Sequence, residues 1–116
     1  MAEVTAAELR HARLMGNTDF RGFDLSGLEL AGVGWLAWCD LRNADLRHAD
    51  LSANLTGAFL SSANVSGALL EGANLTAADL TAALLEGSNL TAAVLSRAKH
   101  DSQTKWPDGF DKGRLR

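Results

Sequence analysis

Tyrosine is absent from this 116-residue sequence, and proline occurs once, at Pro107. Cysteine also occurs once, at Cys39, so no internal disulfide can form; that fits a reducing cytoplasm. Every apolar run is soon broken by Asp, Asn, Ser, Thr or Gly, so nothing is expected to span a membrane. The opening stretch, MAEVTAAELRHARLMG, lacks the apolar centre of a signal peptide. A net charge of −3 makes no case for direct nucleic-acid binding. The three histidines, His11, His48 and His100, have no metal-ligand spacing, and neither a metal nor a cofactor is expected.

What is abundant is leucine and alanine, in a strict order. From Ala53 to Arg97 a large apolar residue recurs every five positions: Leu55, Leu60, Val65, Leu70, Leu75, Leu80, Leu85, Leu90 and Leu95. Two residues before each stands a small one, alanine throughout except Ser88. Five residues turn an α-helix by about 140° from face to face, so the leucines would make no stripe. On a flat strand five is odd, and successive leucines would face opposite ways. A chain that turns a corner after every unit satisfies the pattern. The large residue (position i) and the small one (i−2) then point to a common axis. The residue at i+2, most often Gly or Ala, suits the corner.

Upstream the units run through Phe20, Leu25, Leu30 and Trp35, then through Leu41, Leu46 and Leu51 one residue late. The six-residue step from Trp35 to Leu41 and the four-residue step from Leu51 to Leu55 cancel. That cancellation points to four units per circuit, with an extra residue bulged outward near Leu36–Trp38.

Units such as ADLRH, ANLTG, ANLTA and SNLTA resemble those of the pentapeptide-repeat proteins, over about residues 18 to 102. The resemblance implies an all-β solenoid: a right-handed quadrilateral β-helix, here of about four coils. It would carry a short N-terminal α-helical cap over residues 1–17, the repeat rod over 18–102 and a closing segment over 103–116. Thr5 and Glu8 have the spacing of a capping box. Leu9 and Leu14, with Ala6 and Ala12, are expected to cover the first coil. The bulky Thr18, Phe23, Leu28 and Val33 at its small positions suit a coil that meets a cap. At the far end Pro107 and Gly109 form a turn, and Trp106 and Phe110 are expected over the last coil, as a cap or an end contact. Endings of the Trp-Pro-x-Gly-Phe kind are common in the family.

No constellation of residues points to catalysis. Cys39 sits at a small inward position and reads as a packed thiol. The Ser and Thr residues at i+1 face outward with no histidine base beside them. A centre filled by leucine and alanine leaves no pocket for a substrate. The chain is therefore expected not to be an enzyme.

The outer position i−1 divides the rod. It is acidic early, at Asp19, Asp24, Glu29, Asp40, Asp45 and Asp50, with Arg21, Arg42 and Arg47 two residues on. Later it carries Asn54, Asn64, Asn74 and Asn89, interspersed with Phe59, Leu69, Leu84 and Val94. Side-chain support of the corners explains the Asp and Asn; imitation of DNA phosphates is the alternative. Trp38, Phe59, Leu69 and Leu84, together with Asp19, Asp24, Asp40, Asp45 and Asp50, form the candidate partner-binding surface. The expected function is a cytoplasmic, bacterial interaction or scaffold module that binds another protein, with a homodimer as one form. The alternative is a DNA mimic acting on DNA gyrase or another type II topoisomerase, as quinolone-resistance members of the family do. Against it stand the modest rod charge of −5 (nine acids, four arginines over 18–97) and the net +2 of residues 98–116. A single rod of about 20 Å is also shorter than a DNA turn of about 34 Å.

Overall fold

The structure, a computed structural model, describes residues 4–115. It opens with helix α1, Ala6–Leu14. Thr5 Oγ1 accepts from the Glu8 amide at 3.0 Å, and the Glu8 carboxylate accepts from the Thr5 amide at 2.9 Å. This reciprocal capping box satisfies two amides that the first turn would otherwise leave open. Leu9 is buried, and Ala6 and Ala12 pack against the core. Leu14 departs from the expectation: it is 65% exposed, on the outer side of the last turn.

From Asp19 onward the chain coils. Residues at i−1 pair in parallel with residues one circuit later, such as Asn54 with Asn74 and Asn74 with Val94. The hydrogen bonds run in both directions, as in a parallel ladder. The Asn74 amide donates back to Ala53 O at 3.0 Å, and the Leu75 amide donates forward to Val94 O at 2.8 Å. Each circuit takes 19 to 21 residues, as Asp40↔Phe59, Asn54↔Asn74 and Asp19↔Asp40 show. Pairing is confined to single bridges because each unit bends before a strand can lengthen.

The bend is a four-residue turn closed by the amide of i+3 donating to the carbonyl of i, as from Ala78 to Leu75 at 3.0 Å. Its third residue, i+2, has positive φ, at Gly57 as at Ala77. Such a turn favours glycine there. Inside, Leu75 and Leu80 and their small companions Ala73 and Ala78 are fully buried. In the first coil Phe23, Leu28 and Val33 are only partly buried and pack against the core, whereas Thr18 is exposed.

The structure corrects the register at the insertion. Val33 O accepts from the Asn54 amide as Ala53 O does from Asn74, and the Trp38 amide donates to Thr56 O as Gly57 does to Thr76. Between Val33 and Trp38 lie four residues, where the regular unit from Ala53 to Gly57 has three. Leu36, 1% exposed, fills the central position, and the extra residue is accommodated at Gly34–Trp35 upstream of it. Trp35, expected at the centre, is only partly buried. Its carbonyl accepts from Arg13 Nε at 3.2 Å, which ties α1 to the bulge. The compensating four-residue step falls at Leu51–Leu55, where the unit has no positive-φ corner residue.

At the far end the ladder reaches Lys105, paired with Leu84. There side chains replace backbone partners. The Asp101 carboxylate accepts from the amides of Ala82 and Gln103 at 3.1 and 3.0 Å. Thr104 Oγ1 donates to Leu80 O at 2.8 Å. Arg114 donates to Leu90 O and Ala93 O at 3.0 and 2.8 Å. These contacts close carbonyls and amides that an open edge would offer to another chain.

Candidate interaction surface

The bridges join into four columns of outward residues. The first runs Asp19, Asp40, Phe59, Asp79, Lys99, and the second Asp24, Asp45, Asn64, Leu84, Lys105. The third runs Glu29, Asp50, Leu69, Asn89, and the fourth Asn54, Asn74, Val94. A column arises because i−1 is an outward position and one circuit returns it to the same side. Phe59, Leu69 and Val94 are 44%, 48% and 44% exposed, on three different columns. Leu84 is only half-buried, on the column next to that of Leu69. Trp38 stands at a corner, 61% exposed, with its ring over Gly57.

The aspartates of the columns are tied into the corners. Asp40 Oδ1 accepts from the Arg42 amide at 3.1 Å and from Arg42 Nε at 2.9 Å, while Oδ2 takes Arg42 Nη2 at 2.6 Å. Asp45 with Arg47, and Asp19 with Arg21, repeat the arrangement. Asp24 and Asp50 accept from the amides of Ser26 and Ser52. Asn54, Asn64, Asn74 and Asn89 accept from the residue two on in the same way. Where that residue is Thr56 or Thr76, its hydroxyl donates to the same oxygen. Asp79 is likewise hydrogen-bonded to Thr81.

With this geometry in place, comparison with known proteins is direct. The pentapeptide-repeat family description matches in eight copies, over residues 36–72 and 73–99. The chain belongs to the pentapeptide-repeat family. A pentapeptide repeat protein from Nostoc Pcc 7120 is 35% identical, with a TM-score of 0.66, covering 96% of this chain and 92% of its own. Another, from the cyanobacterium Cyanothece 51142, is 25% identical with a TM-score of 0.49, covering 87% of this chain and 99% of its own. No curated protein matches the chain in sequence.

The electrostatics of this pentapeptide-repeat chain follow from the corner pairs. The guanidinium of Arg21, hydrogen-bonded to Asp19, lowers that carboxyl to about 2. Arg42 and Arg47 likewise hold Asp40 and Asp45 below the ordinary carboxylate range, and Ser26 lowers Asp24. The Asp40 and Asp45 side chains are only 19% and 27% exposed. Cys39 is buried, its Sγ donates to Trp35 O at 3.4 Å, and burial pushes the thiol up. A thiol in that state is a poor nucleophile.

The aromatic pair near the C-terminus engages its own chain. Trp106 and Phe110 are part-buried and stacked with ring centroids 4.6 Å apart, and the Arg114 guanidinium lies 5.3 Å from the Phe110 centroid. Both rings pack against the core cluster. Arginine and aspartate at the closing edge, Arg114 and Asp101, were not singled out from the sequence. Nothing in their spacing distinguishes a capping side chain from a solvated one. Among the described residues, no cluster of His, Cys, Asp and Glu has the arrangement of a metal site. No helix there is long and apolar enough to cross a membrane.

Proposed function

We propose that the chain is a non-enzymatic interaction or scaffold module: a right-handed quadrilateral β-helix of about four coils that binds another protein along its sides. The observation that carries this reading is the pattern of the outer positions. Positions elsewhere held by corner-supporting Asp or Asn carry Phe59, Leu69 and Val94 instead, each close to half exposed. At these positions the corner loses its side-chain acceptor, and apolar area is left toward the solvent. Large apolar and aromatic groups on a rigid scaffold are what protein interfaces bury at their centres. A bacterial, cytoplasmic setting belongs to the proposal, supported by the relative from Nostoc and by the unpaired, buried Cys39.

The topoisomerase alternative has less support. A phosphate mimic needs carboxylates free to meet cationic groups of a partner. Asp19, Asp40 and Asp45 each engage an arginine of their own unit through both carboxylate oxygens.

A photo-crosslinking residue placed at Phe59, at Leu69 or, as control, at Asn74 tests the binding reading in cells. A discrete adduct from position 59 or 69 and none from 74 is the expected result. The absence of any discrete adduct at 59 and 69 would count against the module.

A further inference from the structure

The first column, built on Phe59, matches itself at its two ends and its middle when reversed. It has five rungs, Asp19, Asp40, Phe59, Asp79 and Lys99, and Phe59 is the middle one. Two residues along the same rungs stand Arg21 at one end and Asp101 at the other. Both end pairs are exposed. Reversal about an axis through the Phe59 rung sets the − + pair Asp19–Arg21 against the + − pair Lys99–Asp101 of a second copy, at both ends of the face. Asp19 keeps its two-oxygen contact with Arg21, so the attraction is between opposed charge pairs and needs no free carboxylate. Lys99 makes no ion pair of its own among the described residues.

We propose that this face joins two copies of the chain in an antiparallel, two-fold dimer centred on Phe59. The proposal rests on the binding-module reading and names a partner for one of its sides. A two-fold contact needs a self-complementary patch, and this column supplies one. The end charges alone would also permit two parallel rods, because Asp19 would then face Arg21 of the other copy and Lys99 would face Asp101. The apolar groups select the antiparallel form. In it Phe59 meets Phe59, and Trp38, at the corner one rung before, meets Ala77 one rung after. In the parallel form Phe59 meets Ser61 and Trp38 meets Asn43. The small residues Gly57 and Ala77 on the Trp38 corner leave room for the indole. The antiparallel form also brings Asp40 opposite Asp79, a contact of like charges whose cost is reduced on the Asp40 side by its pair with Arg42 at 2.6 Å.

The face spans about 19 Å from first rung to last, at the spacing of neighbouring strands. Two such faces bury roughly 1,000 Å² in total, at the low end for a specific contact. The dimer is therefore weak and, with charges at its rim, sensitive to salt.

Sedimentation equilibrium of the whole chain at low and high salt tests it, with circular dichroism to confirm that each variant is folded. Position 59 accepts an acid in this fold, since Asp40 and Asp79 occupy the rungs on either side. Phe59→Asp is expected to weaken the dimer at least tenfold. Asp19→Lys and Lys99→Asp are each expected to weaken it, and the two together to restore it toward the wild-type constant. A dimer unaffected by Phe59→Asp would overturn the proposal. So would a double variant weaker than either single one, which is the result for parallel rods. A wild-type chain that stays monomeric to about 1 mM, the scale of non-specific contact, would overturn the dimer. It would leave crosslinking at Leu69, on a different column, to judge the module.

Discussion

The indole of Trp38 lies against the backbone of Gly57, one circuit further on: a Cβ added to Gly57 would come within 2.1 Å of Trp38 Cε3. Gly57 also has φ +66, where a side chain is strained whatever the space. Two separable penalties therefore fall on one substitution. Gly57→Ala is expected to destabilise the fold by about 1–3 kcal/mol, from the backbone and the displaced ring together. In Trp38→Ala the same change should cost only the backbone part, about 1 kcal/mol. Denaturant titrations of the four proteins check this, and strictly additive effects would show that the ring and the glycine do not interact.

The other corners invert the argument. Ala77, Ala82 and Ala92 hold φ between 57 and 60°. Glycine adopts such a conformation without the steric cost of a Cβ. Ala77→Gly and Ala92→Gly should each stabilise the chain, by up to about 1 kcal/mol. A loss of similar size in thermal melts would mean that the flexibility glycine gains in the unfolded chain outweighs the strain it relieves.

The interior has no slack at its small positions. Ala78 is fully buried beside the leucine core, so Ala78→Leu should overpack the coil and cost about 1–3 kcal/mol or more. Leu75→Ala leaves a cavity and should cost about 2–5 kcal/mol. Denaturant midpoints measure both, and wild-type stability in either would contradict the register.

That register was legible wherever the five-residue step is unbroken, because period and residue size together leave one inward arrangement. It failed at the insertion. Trp35 and Leu36 are adjacent large apolar residues, and a sequence pattern cannot say which of two such neighbours the coil takes inward. The structure takes Leu36, leaving the larger indole at the edge, where α1 reaches its carbonyl through Arg13. Leu14 failed for a related reason: helical spacing placed it near the coil, but α1 ends there and the chain turns away at Gly16, φ +94. The outer positions of Asp40, Asp45, Phe59 and Leu69 followed from the repeat alone. The two-oxygen grip of Arg42 on Asp40 did not, because an arginine two residues away can equally extend into water.

Acid should weaken the fold in a defined window. Asp19, Asp24, Asp40, Asp45 and Asp101 are all depressed in the folded chain, Asp19 to about 2. An unfolded aspartate titrates near 3.9. A depressed folded value means that the contribution is complete above about 3.9 and is lost as pH falls through the folded values. The melting temperature should therefore change little from neutral pH to about 5 and decline from about 4 to about 2. A melting temperature that holds or rises over that acid range would contradict the corner pairs.

The most direct test of the whole account is to change Asp40, Asp45 and Asp50 together to asparagine. Asn54, Asn64, Asn74 and Asn89 already support corners in the same columns or beside them. If the acids serve the corners and the sides bind protein through apolar groups, the triple variant folds as the wild type does. It also keeps the adducts formed from positions 59 and 69. Neither protein should then alter supercoiling by DNA gyrase. The measurement is a gyrase supercoiling assay, with and without a gyrase poison, run on wild type and triple variant side by side. No effect from either protein is the predicted result; inhibition or protection by the wild type that the triple variant loses would contradict the account.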